Sequence, residues 1–83
     1  MKVTLHPHAH ARLAERGVTE EEVRATVEDG ERVPEKFGRV GFRRYFSYDK
    51  LWRGKRYATK QVEANVVEEG EQWFVITVIA RYC

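Results

Sequence analysis

Apolar positions near the start of the chain follow the spacing of an α-helix. Ala9 and Leu13 lie four residues apart and form a narrow apolar stripe on a first predicted helix. This helix begins near Pro7, which suits a first turn because its missing N–H has no helical partner there. It runs to about Arg16, and Gly17 is placed to end it in the left-handed conformation.

A second predicted helix is marked at both ends. Thr19 and Glu22 form a capping box, in which each side chain accepts a hydrogen bond from the other residue's backbone N–H. Val23 and Val27 give this helix its buried stripe, and Gly30 ends it. The two helices therefore lie directly one after the other.

The rest of the chain has an apolar period of two, which is typical of strands. The predicted strands cover residues 40–48, 56–67 and 72–82, with shorter extended pieces at residues 2–5 and 32–33. A loop at residues 49–55 and a hairpin turn at residues 68–71 connect the long strands. The last strand is apolar on both faces, which favours a position in the middle of a sheet.

These elements predict an α+β fold of two layers, an N-terminal helical pair packed on a three- to four-stranded antiparallel sheet. A length of 83 residues indicates a single domain, residues 1–83. The longest apolar run, residues 73–80, is too short to cross a membrane and no signal-peptide pattern is present, so a cytoplasmic protein is expected. Cys83 is the single cysteine, which excludes a disulfide within the chain and leaves a homodimer open.

The net charge of +2 is unevenly distributed, because the middle third of the chain is strongly basic. Residues 36–60 contain nine basic side chains and one acid, a charge of +8, whereas the segments before and after carry −3 each. Aromatic residues alternate with these cations, as at Tyr45, Trp52 and Tyr57. Bases stack on exposed rings while cations hold phosphates, so this pattern indicates RNA as a partner. A solvated basic loop that only keeps the protein soluble is the alternative.

Three side chains form a line along the first predicted helix. His8, Arg12 and Arg16 are spaced by four residues each. Attack of an RNA 2′-hydroxyl on the adjacent phosphate needs a base, an acid and cations around the phosphorane, but no metal. Histidine can do either proton step, and arginine clamps phosphate. In the structural alternative, the arginines pair with glutamates of the second helix or with the chain's own C-terminal carbonyl groups, and His8 caps or tethers the helix start.

Arg44 is unusual because it occupies an apolar-face position between Phe42 and Phe46. A charge at such a position needs a partner or a groove that is open to solvent. Two explanations stay open: Arg44 points into a site, or a bulge changes the strand register.

The histidines at positions 6, 8 and 10 would share one face of a strand and could then bind a metal. On the predicted helix, side chains two residues apart diverge, and no Asp or Cys accompanies them at ligand spacing. We therefore expect neither a metal nor another cofactor.

The segment from His8 to Glu21 resembles the opening of a small bacterial family of domains of unknown function. Its members begin with the helical motif His-Ala-x-x-Arg-x-x-x-Arg-Gly-[Ile/Val]-[Ser/Thr] and end on a strand similar to the Val-Ile-Thr-Val of residues 75–78. On this resemblance, His8, Arg12 and Arg16 hold the family's His, Arg and Arg. The family in turn resembles RelE/ParE-type toxins and, more distantly, toxin ribonucleases with a barnase/EndoU/RelE-like core.

The resemblance implies a RelE/ParE toxin-like fold and an RNA-binding domain that acts as a metal-independent endoribonuclease. We predict His8 as acid or base, Arg44 as a catalytic phosphate clamp and Tyr45 as a stacking or proton-relay group. The predicted RNA-binding residues are Arg12, Arg16, Arg43, Lys60, Trp52 and Tyr57, with Thr77 as a further candidate. A small antitoxin-like protein is the second implied partner. The alternative is a non-catalytic module that binds nucleic acid or protein, including a degenerate toxin fold.

Overall fold

The computed structural model describes all residues from Met1 to Cys83. The strands are β1 (Lys2–Leu5), β2 (Glu31–Pro34), β3 (Val40–Trp52), β4 (Lys55–Glu69) and β5 (Gln72–Tyr82), and the helices are α1 (Pro7–Ala11), α2 (Leu13–Arg16) and α3 (Glu20–Asp29). All five strands belong to one sheet, in the order β1-β5-β4-β3-β2. β1 runs parallel to β5, and every other neighbouring pair is antiparallel.

The predicted fold, a RelE/ParE toxin-like helical pair on a three- to four-stranded antiparallel sheet, is wrong. Strands hold 57% of the chain and helices 23%, so a five-stranded mixed sheet dominates and the helices are three short segments. The strand that makes the sheet mixed is β1, which pairs with Gln72–Val75, about 70 residues further along the chain. Four residues of strand-like composition hold no information about so distant a partner.

The first predicted helix is interrupted at Arg12 and becomes α1 and α2. The Arg12 N–H still donates to the carbonyl oxygen of Ala9, at 3.2 Å. Ala9 and Leu13 are buried, which confirms the apolar stripe. Gly17 ends α2 with a φ of 68°, as its position predicts.

The prediction for α3 is confirmed at both ends. The Thr19 hydroxyl accepts from the Glu22 N–H at 3.1 Å, and the Glu22 carboxylate accepts from the Thr19 N–H at 2.9 Å, so both bonds of the capping box are present. Val23 and Val27 are buried, and the helix ends before Gly30. Thr26 is also fully buried, and its hydroxyl is satisfied because it donates to the Glu22 carbonyl oxygen at 2.7 Å.

The hairpin formed by β3 and β4 is longer than the sequence predicts. Most of residues 49–55, predicted as a loop, continue the two strands, and only Arg53 and Gly54 form the turn. Both have positive φ, 51° and 85°, as a two-residue type I′ turn requires. β5 covers Gln72–Tyr82, the predicted range.

The core lies between the sheet and the helices. β4 contributes the fully buried Val62, Ala64 and Val66, which pack with Val23 and Val27 of α3. α3 lies over β3 and β4, whereas α1 and α2 lie along β5. β1 pairs with β5 only as far as Val75, so the remaining edge of β5 borders α1 and α2. This arrangement places the cations of the first helical segment beside β5.

Candidate nucleic-acid interface

His8, Arg12 and Arg16 line one small open cleft against β5, here called the cationic cleft. It has a volume of about 180 Å³, and its other lining residues are Ala9, Ile76, Thr77 and Val78. His8 is exposed, and the side chains of Arg12 and Arg16 keep 48% and 32% of their surface exposed. The break between α1 and α2 does not scatter the three side chains, and Thr77 lies with them.

Glu15 is the acidic neighbour of both arginines. Its carboxylate lies 3.4 Å from the Arg16 guanidinium and 4.0 Å from Nε of Arg12. The structural alternative assigned these arginines to glutamates of the second helix, but their ion-pair partner is Glu15. Exposed pairs of this kind stabilise by roughly 0–1 kcal/mol, so a phosphate can compete for both guanidinium groups.

The wall of the cleft is anchored to the sheet through backbone oxygens at the end of α2. The Tyr82 hydroxyl donates to the Arg16 carbonyl oxygen at 2.6 Å, and the Lys60 ammonium donates to that of Gly17 at 2.8 Å. The same ammonium binds the Glu22 carboxylate at 2.8 Å, and the Lys60 side chain is 5% exposed. Lys60, predicted to bind RNA, therefore lies inside the fold and positions the cleft.

Tyr82 is the centre of an aromatic cluster beside this anchor. Trp52 stacks on its ring with centroids 4.7 Å apart, and Tyr48 and Tyr57 contact it at 5.2 and 5.7 Å. Desolvation raises the pKa of Tyr82 to about 12, so its hydroxyl keeps its proton and donates to the helix. Trp52 and Tyr57, predicted RNA contacts, are half-buried here, with Arg53 and Lys55 over their rings.

Arg44 lies away from the cationic cleft. Its register with Val62 is regular, so a bulge does not explain its position; the guanidinium stacks over Phe46 at 5.1 Å and lies 3.8 Å from the Asp29 carboxylate. β4 lies between β3, which carries Arg44, and β5, which forms the cleft. The structure does not bring Arg44 to His8.

Arg43 and Tyr45 lie on the sheet face away from the helices. Arg43 pairs with Glu31 at 2.8 Å, and the Tyr45 hydroxyl accepts from the Gln61 amide at 2.7 Å. Tyr45 is 59% exposed, so its ring can stack on a base, but it does not line the cleft that contains His8. The predicted residues are thus divided between two faces of the sheet.

The three histidines have different neighbours. His6 accepts from the His8 N–H through Nδ1 at 3.1 Å and packs edge-to-face on Phe74, at 5.6 Å. His10 lies 3.6 Å from the Glu20 carboxylate. Hydrogen bonding from Arg24 lowers the pKa of Glu20, with a smaller contribution from His10.

One exposed aromatic residue, Phe37, is not among the residues predicted from the sequence. Phe37 is 89% exposed and lies in the connection between β2 and β3, flanked by Lys36 and Arg39 at the start of the basic third. In the sequence, Phe37 is followed directly by glycine and lies between two cationic residues. This pattern could have identified it.

The chain belongs to the family described as Domain of unknown function (DUF4258), which matches residues 5–80. The match supports a small domain of unknown function and brings no toxin or ribonuclease assignment with it. No curated protein and no solved structure matches the chain. None of the three helices has the length and apolar composition that a membrane span needs.

Proposed function

We propose that the protein binds single-stranded RNA and cleaves it, without a metal, in the cationic cleft. The observation that supports this proposal is that one histidine and two arginines, separated in sequence by four residues each, line the same open cleft. The arginines hold the phosphate in a bidentate manner, and His8 serves in proton transfer. Single strands are favoured because a small cleft accepts a splayed backbone more readily than a duplex.

The reaction follows from these groups. His8 takes the proton of the 2′-hydroxyl, whose oxygen then attacks the phosphorus; the bond from phosphorus to the 5′-oxygen breaks, and water protonates that oxygen. The products are a 2′,3′-cyclic phosphate and a 5′-hydroxyl. Arg12 and Arg16 stabilise the charge that grows on the phosphorane oxygens.

Binding without cleavage is the second candidate function. It is favoured by the positions of Arg44 and Tyr45, which do not line the cleft. Glu15 already faces both arginines of the cleft. The antitoxin-like protein partner stays a proposal that depends on the toxin assignment.

Replacing both arginines of the cleft tests the binding step. In Arg12→Ala/Arg16→Ala, we expect the affinity for an unstructured RNA oligonucleotide to fall about tenfold at moderate salt. The slope of log affinity against log salt should become shallower by about 0.7, because the two arginines hold one phosphate and each single-strand phosphate contact contributes roughly 0.7. Fluorescence anisotropy at several salt concentrations measures both quantities.

Arg32→Ala is the matched control for this experiment, because Arg32 is exposed on β2, outside both the cleft and the basic third. The control should leave affinity and salt slope close to wild type. Equal losses in both variants would mean that the cleft is not the phosphate site. Incubation of the bound RNA with a chelator present separates the two functions, since cleavage products appear only under the first.

A further inference from the structure

A second cavity lies at the opposite end of the sheet from the hairpin tip, here called the Phe37 cavity. It has a volume of about 450 Å³ and is lined by Pro34, Glu35, Lys36, Phe37, Arg39 and Asn65. Its size falls within the range of roughly 300–1,000 Å³ that is usual for small-molecule sites. None of these residues lines the cationic cleft.

Phe37 is not held in this conformation by the core. Its ring is 89% exposed, and its backbone has a φ of 61°, a left-handed conformation that bulky side chains rarely adopt. Such residues concentrate at ligand-binding positions. The exposed ring offers a flat apolar surface, and Lys36 and Arg39 beside it supply positive charge.

Two acceptors line the same cavity. The Oδ1 atom of Asn65 is buried and has no hydrogen-bond partner, which is uncommon because a buried unsatisfied acceptor destabilises a fold. The Glu35 side chain also lines the cavity and brings a carboxylate. A ligand with a flat ring and an amino group would stack on Phe37 and donate to these oxygens.

One residue of the Phe37 cavity pairs with one residue of the cationic cleft. Asn65 of β4 and Thr77 of β5 are direct register partners, and Thr77 lines the cleft. Neighbouring strands lie about 4.8 Å apart, so the Asn65 side of the cavity is one strand away from the cleft. Phe37 precedes β3 and lies further across the sheet. The two sites therefore fit separate groups of one RNA strand.

From this geometry we propose that the Phe37 cavity binds one unpaired nucleobase of the RNA whose phosphate lies in the cationic cleft. The ring stacks on Phe37, an exocyclic amino group donates to Asn65 and Glu35, and Lys36 and Arg39 contact the flanking phosphates. Adenine, cytosine and guanine have such an amino group and uracil does not, so the cavity selects the three amino bases. This inference rests on the proposed function, since it identifies a base of the RNA whose phosphate lies in the cleft.

Phe37→Ala tests the stacking interaction. We expect the affinity for a cytidine-containing oligonucleotide to fall about fivefold or more, because base stacking on an aromatic ring is strong. An RNA that contains 2-aminopurine at one position should lose fluorescence on binding the wild type and retain it with the variant. Leu51→Ala is the matched control, since Leu51 is a 63% exposed apolar residue outside the cavity.

Asn65→Val tests the base selectivity separately. The variant removes the unpaired oxygen and keeps a side chain that suits a strand. The preference for cytidine over uridine oligonucleotides should then become smaller, with Glu35 as the one acceptor that remains. If Arg12→Ala/Arg16→Ala weakens binding but Phe37→Ala does not, the proposed function stands and the nucleobase site is overturned. If the wild type binds no RNA at all, the proposed function fails and the nucleobase site fails with it.

Discussion

Replacing His8 with alanine is expected to slow RNA cleavage by about 100-fold or more, because general acid–base catalysis typically contributes about 10²–10⁴-fold. The imidazole is exposed and carries none of the core, so the fold should be unaffected. Binding should change little, since the two arginines remain. Initial rates on a fluorescent RNA under single-turnover conditions, with a chelator present, measure this effect.

His10→Ala is the matched control, since His10 lies two residues further along α1, is exposed and does not line the cleft. Replacing the 2′-hydroxyl of the scissile nucleotide with hydrogen should stop cleavage by the wild type, because that oxygen is the nucleophile. A rate that is unchanged in His8→Ala would exclude His8 from the proton transfer. A wild type that binds RNA but leaves it intact would favour the second candidate function.

Gly17→Ala is expected to destabilise the protein by about 3 kcal/mol, a shift of roughly 150-fold in the folding equilibrium. Two physical effects combine at this residue. Its φ of 68° is unfavourable for any side chain, and a Cβ would lie 2.5 Å from both the Trp52 ring and the Tyr82 hydroxyl. Both aromatic groups are held in the cluster, so neither can move away without loss of packing. Thermal unfolding should show a melting temperature lower by roughly 12–24 °C.

Gly70→Ala separates the two effects, because Gly70 has a φ of 62° and no atom near the position of an added Cβ. This control should lose only the conformational part, about 1–2 kcal/mol. Equal losses at both glycines would mean that Trp52 and Tyr82 do not constrain the end of α2. Since Tyr82 binds the Arg16 carbonyl oxygen, Gly17→Ala should also weaken RNA binding by the molecules that remain folded.

Local sequence signals predicted the elements near the candidate site well. The capping box of Thr19 and Glu22, the stop at Gly17 and the limits of the last strand all depend on residues within a few positions of one another. Their interactions are backbone conformations and short-range hydrogen bonds, which the composition of a short window largely determines. The grouping of His8, Arg12 and Arg16 also depends on residues that are close in sequence, because helical spacing places the three side chains on one side of the helical segment.

The long-range partners were not predictable in this way. Asp29 as the partner of Arg44, and Gly17 and Glu22 as the partners of Lys60, come from elements far apart in sequence. The basic charge of residues 36–60 indicated RNA as a partner, and the alternation along β3 places Arg43 and Arg44 on opposite faces of the sheet. The basic residues that are contiguous in the sequence are therefore divided between the two faces of the sheet.

The sequence by itself determined that helical structure begins at Pro7 and ends at Gly17, and that α3 lies between Thr19 and Gly30. It also determined which side chains alternate along each strand and which three side chains of the first helical segment share a line. Only the tertiary structure decided that β1 joins β5 in parallel, that Lys60 is internal, and that Thr77 of the cationic cleft pairs with Asn65 of the Phe37 cavity. The physical reason is the range of the forces involved. Backbone conformation and capping are set by neighbours in the chain, whereas strand pairing and burial are set by contacts that close long loops.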